Sequence, residues 1–432
     1  MKRTIQARLS AMMFLEFFVW GAWYTTIAVT MTAHGMEGLT HWPFTVNPIA
    51  ALVAPFFVGL IADRYFPTQS VLGVLHLLGA AFMFVAPSVI GYPLLFILAL
   101  LAYNLCFMPT ISLTNTLAFH NMTEQESQFP VIRVFGTVGW IVAGLLVSYL
   151  GGYFVPEGAS GVLPEETTFP LYLTATISAI YGLYSFTLPH TPPPAEGETV
   201  SVRDILGLDA LKTLGSPSFY VFLLSSFLIS IPLAAYYNFT QTFLADTGFQ
   251  QIAAVQTIGQ ASEVIFMLLM PMFFVRLGVK WMLGVGMFAW VLRYGLFALG
   301  APDMVTWMIL SGIALHGICY DFFFVAGQIY VDKKASPKVR GQAQGLIVLL
   351  TYGAGMLIGA QVAGWLFNLI RTGEQLTLNQ WVHFWWVPAA FAGAVLVFFV
   401  FFFDDEVEVG GESVASVMGA ETEDDAPENI AA

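Results

Sequence analysis

Residues 391–403 read FAGAVLVFFVFFF, a run with no charged side chain on any face. Ala80–Val89 is similarly apolar, and stretches of about 20 residues, long enough to cross a bilayer, recur along the chain. An outer-membrane barrel would instead show segments of about ten residues with alternating hydrophobicity. The sequence therefore predicts an all-α membrane protein.

Composition supports the same class, with hydrophobic residues at 57% of the 432 positions. Charged residues make up 10%, against roughly 25% in an average soluble domain. The first apolar stretch is longer than the apolar region of a signal peptide and carries Glu16, so we interpret it as a retained helix. We predict twelve spans, near 9–33, 43–62, 70–88, 93–118, 130–153, 169–187, 218–242, 252–275, 281–299, 302–331, 340–370 and 383–403.

The positions of the basic residues support twelve spans. Lys and Arg near span ends stay in the cytoplasm, and Arg371 is the one base that falls in a predicted outer loop. Arg133 and Arg293 fall within or beside spans. The others lie on the predicted inner side: Lys2, Arg3, Arg8, Arg64, Arg203, Lys212, Arg276, Lys280, Lys333, Lys334, Lys338 and Arg340. We predict a multi-pass protein of the bacterial inner membrane with both termini in the cytoplasm.

The chain divides into two halves of six spans. A polar stretch from His190 to Pro217 separates them and contains a predicted helical piece, Val202–Leu214. Residues 404–432 hold ten carboxylates and no base, which is typical of a disordered extension. We predict an N-terminal bundle at 1–188, a cytoplasmic linker at 189–217, a C-terminal bundle at 218–403 and the acidic tail at 404–432. This is the layout of the major facilitator superfamily, which places a site between the halves.

A short motif after the second span supports that layout. Gly59-Leu-Ile-Ala-Asp63-Arg64 is similar to the superfamily's loop motif, in which the Asp and Arg latch neighbouring helix ends in one conformation. The equivalent loop of the second half, Phe273–Lys280, keeps two bases but lacks the Asp. We predict Asp63 and Arg64 as a conformational latch; a capping Asp beside a cytoplasmic Arg is the simpler alternative.

Function is expected from ionisable groups inside the membrane, because each costs roughly 2.5 kcal/mol or more at the bilayer centre. There are five in the predicted spans: Glu16, Arg133, Glu263, Arg293 and Asp321. Helical spacing places further residues on the same faces as three of these charges. Thr137 and Trp140 share a face with Arg133, and Gln260 shares one with Glu263. On span ten, Gly317 and Gln328 share a stripe with Asp321, and His316 and Tyr320 form a neighbouring stripe. These faces of spans five, eight and ten could meet in one cavity.

Structural interpretations stay open for several of these residues. Arg133 could reach the cytoplasmic interface, and Glu263 and Asp321 could be structural partners of Arg293. Glu16 could hydrogen-bond only within the first bundle. For other residues we expect packing roles: His76, Cys106 and Cys319.

At these and other positions the chain resembles the nucleoside:proton symporter family of the major facilitator superfamily. The resemblance runs from Phe14 to about Phe402 and is carried by Phe14–Thr26, Phe129–Gly139, Leu206–Ala210, Gln260–Glu263, Trp290–Arg293, Asp321–Phe323 and Ser336–Arg340. It implies nucleoside import driven by the proton gradient through alternating access. It also implies substrate contacts at Arg133, Thr137, Gln260, Glu263 and Asp321.

The chain departs from the family pattern in the cavity. The family permease has an aromatic in place of His316, a Phe in place of Tyr320 and a Gln where this chain has Glu16. Its substrate-binding Gln and Asn of span seven align with Ala234 and Tyr237, although Asn238 and Gln241 lie close by. We predict substrate contacts at Arg133, Thr137, Trp140, Asn238, Gln260, Glu263, His316, Tyr320 and Asp321, with proton coupling at Glu263 and Asp321.

Other classes of function remain open. A proton-coupled carrier of a sugar or another small polar solute would share the architecture, and a substrate sensor that does not transport would fit as well. The spans carry no nucleophile motif and no metal-ligand spacing, so we expect no enzyme, no metal and no cofactor. The expected partners are a small solute, the proton and the lipid bilayer, with no nucleic acid and a monomeric state.

Overall fold

The structure is a computed structural model, and it describes residues 2–123, 125–157, 159, 161–193, 207–336 and 339–404. The side chains of residues 55–64, 125–127 and 208 lie outside that description. Every regular element of the described residues is helical. Helices are expected here because a span in lipid must satisfy its own backbone hydrogen bonds.

The first half consists of helices connected by short loops and 3₁₀ turns. They are α1 (Arg3–Tyr24), α2 (Ile27–Ala33), α3 (Trp42–Tyr65), α4 (Thr68–Val85), α5 (Pro93–Asn121), α6 (Gln125–Leu150) and α7 (Phe169–Ser185). The 3₁₀ turns are Glu37–Leu39, Ala86–Val89, Gly151–Phe154 and Pro164–Glu166.

The second half begins after the short helix α8 (Leu208–Thr213), the described part of the predicted linker helix. Its other helices are α9 (Pro217–Asp246), α10 (Ile252–Gly300), α11 (Thr306–Ala314), α12 (His316–Tyr320), α13 (Ala326–Lys334), α14 (Arg340–Val348), α15 (Met356–Ile370) and α16 (Leu378–Phe402). Two π-turns, Asp321–Val325 and Leu349–Gly355, connect α12 to α13 and α14 to α15.

The described helices supply the predicted twelve spans. Within the described residues, nine helical stretches are long and apolar enough to cross a membrane. One of them, α10, holds two spans because Gly278, with φ 66° and ψ 175°, breaks it. Together with α3 and the 17-residue α7, the described part of the chain therefore contains twelve spans.

Three predicted spans are not the uniform helices that hydropathy suggested. The first is broken at Thr25 and Thr26 into α1 and α2. The tenth and eleventh each contain a π-turn. π-turns occur mostly within α-helices at functional sites, so these breaks direct attention to the residues around them.

The buried side chains form separate clusters. The largest draws almost entirely on α8–α16, with Val29 and Leu163 packed against it from the first half. Three others draw on α1–α7, one of them with Ala360. The domain bounds inferred from the sequence stay a prediction, and residues 194–206 and 405–432 lie outside the described part of the chain.

The bundle has two distinct ends. At one end, Arg8 donates to the carbonyl of Thr187 at 3.2 Å, and Ser218 donates to that of Asp404 at 2.7 Å. We call this the terminal end, because it gathers the two ends of the described chain. The opposite end, called the closed end, carries the loops at 34–41, 151–157, 161–168, 247–251 and 371–377.

Candidate functional site

The break in the first span is held by two amide side chains of the other half. Gln241 of α9 donates to the Tyr24 carbonyl at 2.7 Å and accepts from the Ala28 amide at 3.0 Å. Gln256 of α10 donates to the Thr25 carbonyl at 2.9 Å. Buried backbone groups freed by a helix break need such partners, so the break and the amides form one connection between the halves.

A carboxylate forms a second connection. Glu165, in the turn before α7, is fully buried, and its Oε1 accepts from Ser148 Oγ at 2.6 Å and from the Ala253 amide at 3.1 Å. Ser148 Oγ also accepts from the Ala254 amide at 2.9 Å. The carboxylate thus caps the N-terminus of α10, where unpaired amides and the helix dipole favour negative charge.

The loops of the closed end add further contacts between the halves. Gln361 Nε2 donates to Thr45 Oγ1 at 2.7 Å, and Asn368 donates to the Gly38 carbonyl at 3.0 Å. Among the described residues, every side-chain hydrogen bond between the halves lies toward this end. The halves are therefore hydrogen-bonded to each other at the closed end.

Aromatic side chains of α1 form one wall of the site. Phe17, Trp20 and Tyr24 follow helical spacing on one face, and the Trp20 ring lies 5.5 Å from that of Trp140 on α6. Both tryptophan Nε1 atoms are without a hydrogen-bond partner in the described structure. A planar polar solute could stack on this wall and accept from these donors.

α1 and α6 approach closely enough to place Arg133 beside this wall. A Cβ at Gly139 would lie 2.1 Å from the Phe14 carbonyl oxygen, so no larger residue fits there. Arg133, two turns earlier on α6, holds its guanidinium 4.1 Å from the centre of the Phe17 ring and is partly exposed. This cation–π contact holds the Arg133 guanidinium beside the aromatic wall. Thr137 lies one helical turn after Arg133 on α6.

The opposite wall carries the carboxylates. Glu263 of α10 is partly exposed and lies within electrostatic range of Arg133 on α6, and Asp321 lies within electrostatic range of Glu263. No ion pair joins Arg133 to either carboxylate among the described residues. Gln260, on the same face as Glu263, has an Oε1 without a partner in the described structure. The structure therefore brings the charged residues predicted from spans five, eight and ten to one place.

Asp321 stands out among them. It begins the π-turn after Tyr320, is 0% exposed, and neither carboxylate oxygen has a hydrogen-bond partner among the described residues. A buried carboxylate without partners is costly, since desolvation is not compensated. The residue is thus arranged to gain from a proton or from a hydroxyl of a bound solute.

Tyrosines and a histidine cluster around Tyr320, which directly precedes Asp321 in the chain. Tyr320 and Tyr352, which lie beside and within the two π-turns, share a short hydrogen bond between their hydroxyls. His316 stacks on Tyr236 with ring centres 5.4 Å apart and presents its edge to Tyr237 at 6.1 Å. Its Nδ1 is unpartnered in the described structure. Tyr237 and Tyr352 were not predicted as site residues; spacing could not find them because they lie on spans without an intramembrane charge.

Arg293 lies apart from the carboxylates. Its guanidinium packs 4.0 Å from the centre of the Tyr236 ring, and its Nε donates to the Gly312 carbonyl at 2.9 Å. The hypothesis that Arg293 pairs with Glu263 or Asp321 finds no contact in this conformation. Asn238 is also fully buried; its amide reaches the Ala360 carbonyl at 3.4 Å, and its Oδ1 is left without a partner in the described structure.

The remaining candidates lie elsewhere. Glu16 hydrogen-bonds within the first half, as its structural alternative has it, and its partner is His76, which is buried and also lies within hydrogen-bond distance of Ser178. The backbone of Asp63 and Arg64 belongs to α3, but the predicted latch concerns side chains that lie outside the described structure. Cys106 and Cys319 are buried, free and on different helices.

The fold and the site define a class of protein. Two six-span halves that are hydrogen-bonded to each other at one end, with polar and aromatic side chains of both halves near one another, are the architecture of a major facilitator transporter. The solved structure of the nucleoside transporter NupG superposes with a TM-score of 0.81 over 93% of this chain and 100% of its own, at 28% identity. A bacterial homolog of the human lysosomal transporter Spinster, in an inward-facing conformation, shares the fold alone, with a TM-score of 0.71 and 13% identity over 95% of this chain and 100% of its own.

Sequence comparison identifies the family. The family model described as nucleoside H+ symporter matches residues 2–408, and this chain belongs to that family. YegT of Escherichia coli (strain K12) is 40% identical over 96% of this chain and 98% of its own length. The nucleoside permease NupG of the same organism is 30% identical over 91% and 94%, and its xanthosine permease is 30% identical over 93% and 96%.

Proposed function

We propose that this protein imports nucleosides together with protons by alternating access. It is a multi-pass membrane transporter of the nucleoside H+ symporter family. The observation that carries the proposal is the unpartnered carboxylate of Asp321, fully buried beside Tyr320 and within electrostatic reach of Glu263. Intramembrane carboxylates of this kind mark proton and solute pathways.

Solute recognition would use both walls. The base of a nucleoside can stack on Trp20 and Trp140, since aromatic rings favour offset or edge contacts with other rings. The ribose hydroxyls can bond to Gln260, Glu263 and Arg133, whose polar atoms face the space between the halves. Buried polar atoms that lack partners, such as Asn238 Oδ1 and His316 Nδ1, would be satisfied by the solute or by water.

Orientation gives the cycle its direction. We infer from the basic residues that the terminal end faces the cytoplasm, so the closed end faces the periplasm in the described conformation. Import requires the contacts of Gln241, Gln256 and Glu165 to open, so that solute and a proton enter together. The halves then rock closed around them, and Asp321 or Glu263 releases the proton at the cytoplasmic side.

Uptake of radiolabelled uridine and adenosine by cells lacking their own nucleoside carriers tests the proposal. We expect accumulation that a protonophore abolishes, and competition by nucleosides rather than by sugars. Uptake blocked by sugars, or binding without flux, would replace the proposal with a sugar carrier or a sensor.

Asp321→Asn tests the coupling residue. An asparagine amide does not take up or release a proton as a carboxylate does. We therefore expect concentrative uptake to be lost, while exchange of uridine across the membrane persists. Asp332→Asn is the matched control: it removes an acid from the same span, where Asp332 is half-exposed and pairs with Arg340 at 3.3 Å. Normal accumulation by Asp321→Asn would contradict the role of this residue.

A further inference from the structure

A second buried acid–base pair lies in the first half, behind the aromatic wall. Glu16 of α1 and His76 of α4 are 1% and 2% exposed, and His76 Nε2 lies 3.2 Å from Glu16 Oε2. Neither residue touches the cavity cluster around Asp321, and the mechanism above does not use them. A charged or protonatable pair buried this deeply needs an explanation.

Hydroxyl groups lie on both sides of the pair. Thr110 Oγ1 lies 2.7 Å from Glu16 Oε1, and Thr114 Oγ1 lies 3.0 Å from Oε2. Each of these hydroxyls also has a helix carbonyl, of Phe107 and of Thr110, as an alternative acceptor for its single proton. On the other side, His76 Nδ1 lies 3.1 Å from Ser178 Oγ, and the same hydroxyl lies 3.0 Å from the His76 carbonyl oxygen.

Counting hydrogens shows that this network can exist in two states. If Ser178 donates its single proton to the His76 carbonyl, Nδ1 must carry a hydrogen and donate to Ser178. The contact between Nε2 and Glu16 then requires a further proton between them, on either atom. If Ser178 instead donates to Nδ1, Nε2 carries the hydrogen and donates to an ionised Glu16. The first state holds one proton more than the second, and no heavy atom has to move.

The surroundings contain no competing charge among the described residues. Among the described residues, the titratable groups that face the pair are Tyr103 of α5 and Tyr181 of α7, whose ring lies 4.1 Å from that of His76. No lysine or arginine of the described residues makes an ion pair with Glu16. The proton-loaded pair is therefore net neutral, whereas the unloaded pair places a negative charge in a dry interior.

One aromatic layer connects the pair to the cavity. The Phe107 ring lies 6.0 Å from His76 and 5.8 Å from Trp20, and Trp20 in turn meets Trp140. Glu16 also precedes Phe17, the ring under Arg133, on the same helix. Movement of α1 as the halves rock would therefore change the environment of the pair and the solute wall together.

We propose that Glu16 and His76 form a second proton-binding site, which takes up and releases one proton in each transport cycle without contacting the solute. The proposal rests on the proposed proton symport and extends it. Under it, the first half and the second half each carry one proton site, and the number of protons moved per solute depends on both.

The test is the number of protons moved per uridine by the purified full-length protein in proteoliposomes. It is obtained from the membrane potential at which net uridine flux stops under fixed uridine and pH gradients. Glu16→Gln keeps the shape and the hydrogen bond to His76 but cannot carry the negative charge of the unloaded state, so Glu16 no longer contributes a proton site. We expect this variant to move one proton fewer per uridine than the unaltered protein.

Thr110→Ser is the matched control, because it retains the hydroxyl bonded to Glu16 and removes only a methyl group beside it; we expect it to keep the original ratio. An unchanged ratio in Glu16→Gln would overturn the proposal. If that variant is not recovered folded, His76→Gln is measured against the same criterion.

A second measurement separates this proposal from the function it rests on. Histidine-selective ¹⁵N NMR of the purified protein without solute reads the ring protons of His76 as the pH is varied across the range in which transport is measured. A His76 signal that changes with pH and is altered in Glu16→Gln supports the site even if uridine is not the solute. A signal that stays constant across this range and is unaffected by Glu16→Gln overturns it. Absence of protonophore-sensitive uridine uptake by the unaltered protein would contradict the proposed function alone.

Discussion

Asp321 and Arg293 are both fully buried, and each keeps charged atoms without a partner in the described part of the chain. Such groups are stabilised poorly in the conformation seen here, because a buried charge normally requires a hydrogen-bonded counter-charge. Arg293 is compensated in part by the face of Tyr236. Asp321 lacks even that contact, which makes it the residue whose state should change most during transport.

The pair of tyrosine hydroxyls beside Asp321 gives a prediction on solute affinity. Tyr352→Phe removes the partner of the Tyr320 hydroxyl and leaves the ring in place. Since a hydrogen bond contributes about 1 kcal/mol, we expect the KM for uridine to rise about fivefold with little change in maximal rate. Transport kinetics in proteoliposomes measure this. Tyr220→Phe, an exposed tyrosine at the start of α9, serves as the control; equal KM values in both variants would contradict a role for the pair.

His41 gives the closed end a pH dependence. Its ring packs on the backbone of α15, where a Cβ at Gly364 would lie 2.3 Å from His41 Cγ. Burial lowers the pKa of His41 from its usual 6.5 to about 4. Because this pKa is depressed, the closed contact is favoured fully above about pH 6.5 and loses stability as the pH falls toward 4.

We therefore expect acid to open the closed end, and a cysteine placed at Asn368 to report it through its rate of maleimide labelling. Comparing His41→Gln with the unaltered background at each pH cancels the pH dependence of the thiol itself. The acid-dependent increase should disappear in His41→Gln. An identical increase in both proteins would assign the effect to another group.

Spacing along the sequence found Arg133, Glu263 and Asp321 because intramembrane charges are rare and conspicuous. It could not find their partners: the rotation and tilt of each helix decide which residues meet, and these depend on packing across the whole bundle. Arg293 illustrates the limit, since its place over Tyr236 rather than beside a carboxylate follows from the packing of α9 against α10. His76 was expected to be a packing residue. Its hydrogen bond to Glu16 joins two spans, so the sequence of one span alone could not predict it.

At the scale of elements, glycine determines how closely α1 and α6 can pack. Gly139 stands against the Phe14 carbonyl, and a Cβ at Gly21 would lie 3.0 Å from the Trp140 ring. Small residues at such contacts let membrane helices approach, so the aromatic wall of the site depends on them.

Gly139→Ala should therefore destabilise the protein. The added methyl group would force α1 and α6 apart, and overpacking of this kind costs about 1–3 kcal/mol. We expect a lower midpoint of thermal unfolding in detergent and weaker uridine binding. Gly284→Ala, at a helical glycine whose Cβ would meet nothing within 4 Å, is the matched control and should be neutral or slightly stabilising. Equal midpoints for the two variants would contradict the packing argument.

Hydropathy predicted the number and order of the spans but not their internal breaks. Apolar length is set by the bilayer and can be read directly. The interruption at Thr25 and Thr26 is different, because its backbone groups are satisfied by Gln241 and Gln256, more than two hundred residues away in sequence. The π-turn at Asp321 similarly follows from packing rather than from any residue that disfavours helix.

For the whole molecule, the closed end is the contact that must break and re-form in each cycle. It combines the cap of Glu165 on α10, the amides at the break in the first span, and the link between Thr45 and Gln361. Alternating access requires the loss of these bonds to be offset by contacts formed in the other conformation and by the binding of solute and proton.

A covalent link at this end should stop transport. Thr45→Cys combined with Gln361→Cys places two thiols where the native side chains are 2.7 Å apart. We expect a short thiol-specific cross-linker to abolish uridine uptake and each single variant to be unaffected by it. The native Cys106 and Cys319 are buried and should not react. Full uptake by a completely cross-linked sample would show that this end does not open.

The extra residue in the π-turn at Asp321–Val325 determines what the deletion of one residue would do to this span. A π-turn contains one residue more than a regular α-helical turn requires. Deleting a single codon there would leave the hydropathy and length of the span almost unchanged. It would nevertheless rotate the residues before the turn by about 100° relative to Gln328 and those after it. Solute preference among such carriers can therefore change by a one-residue deletion, which a comparison of substitutions alone would overlook.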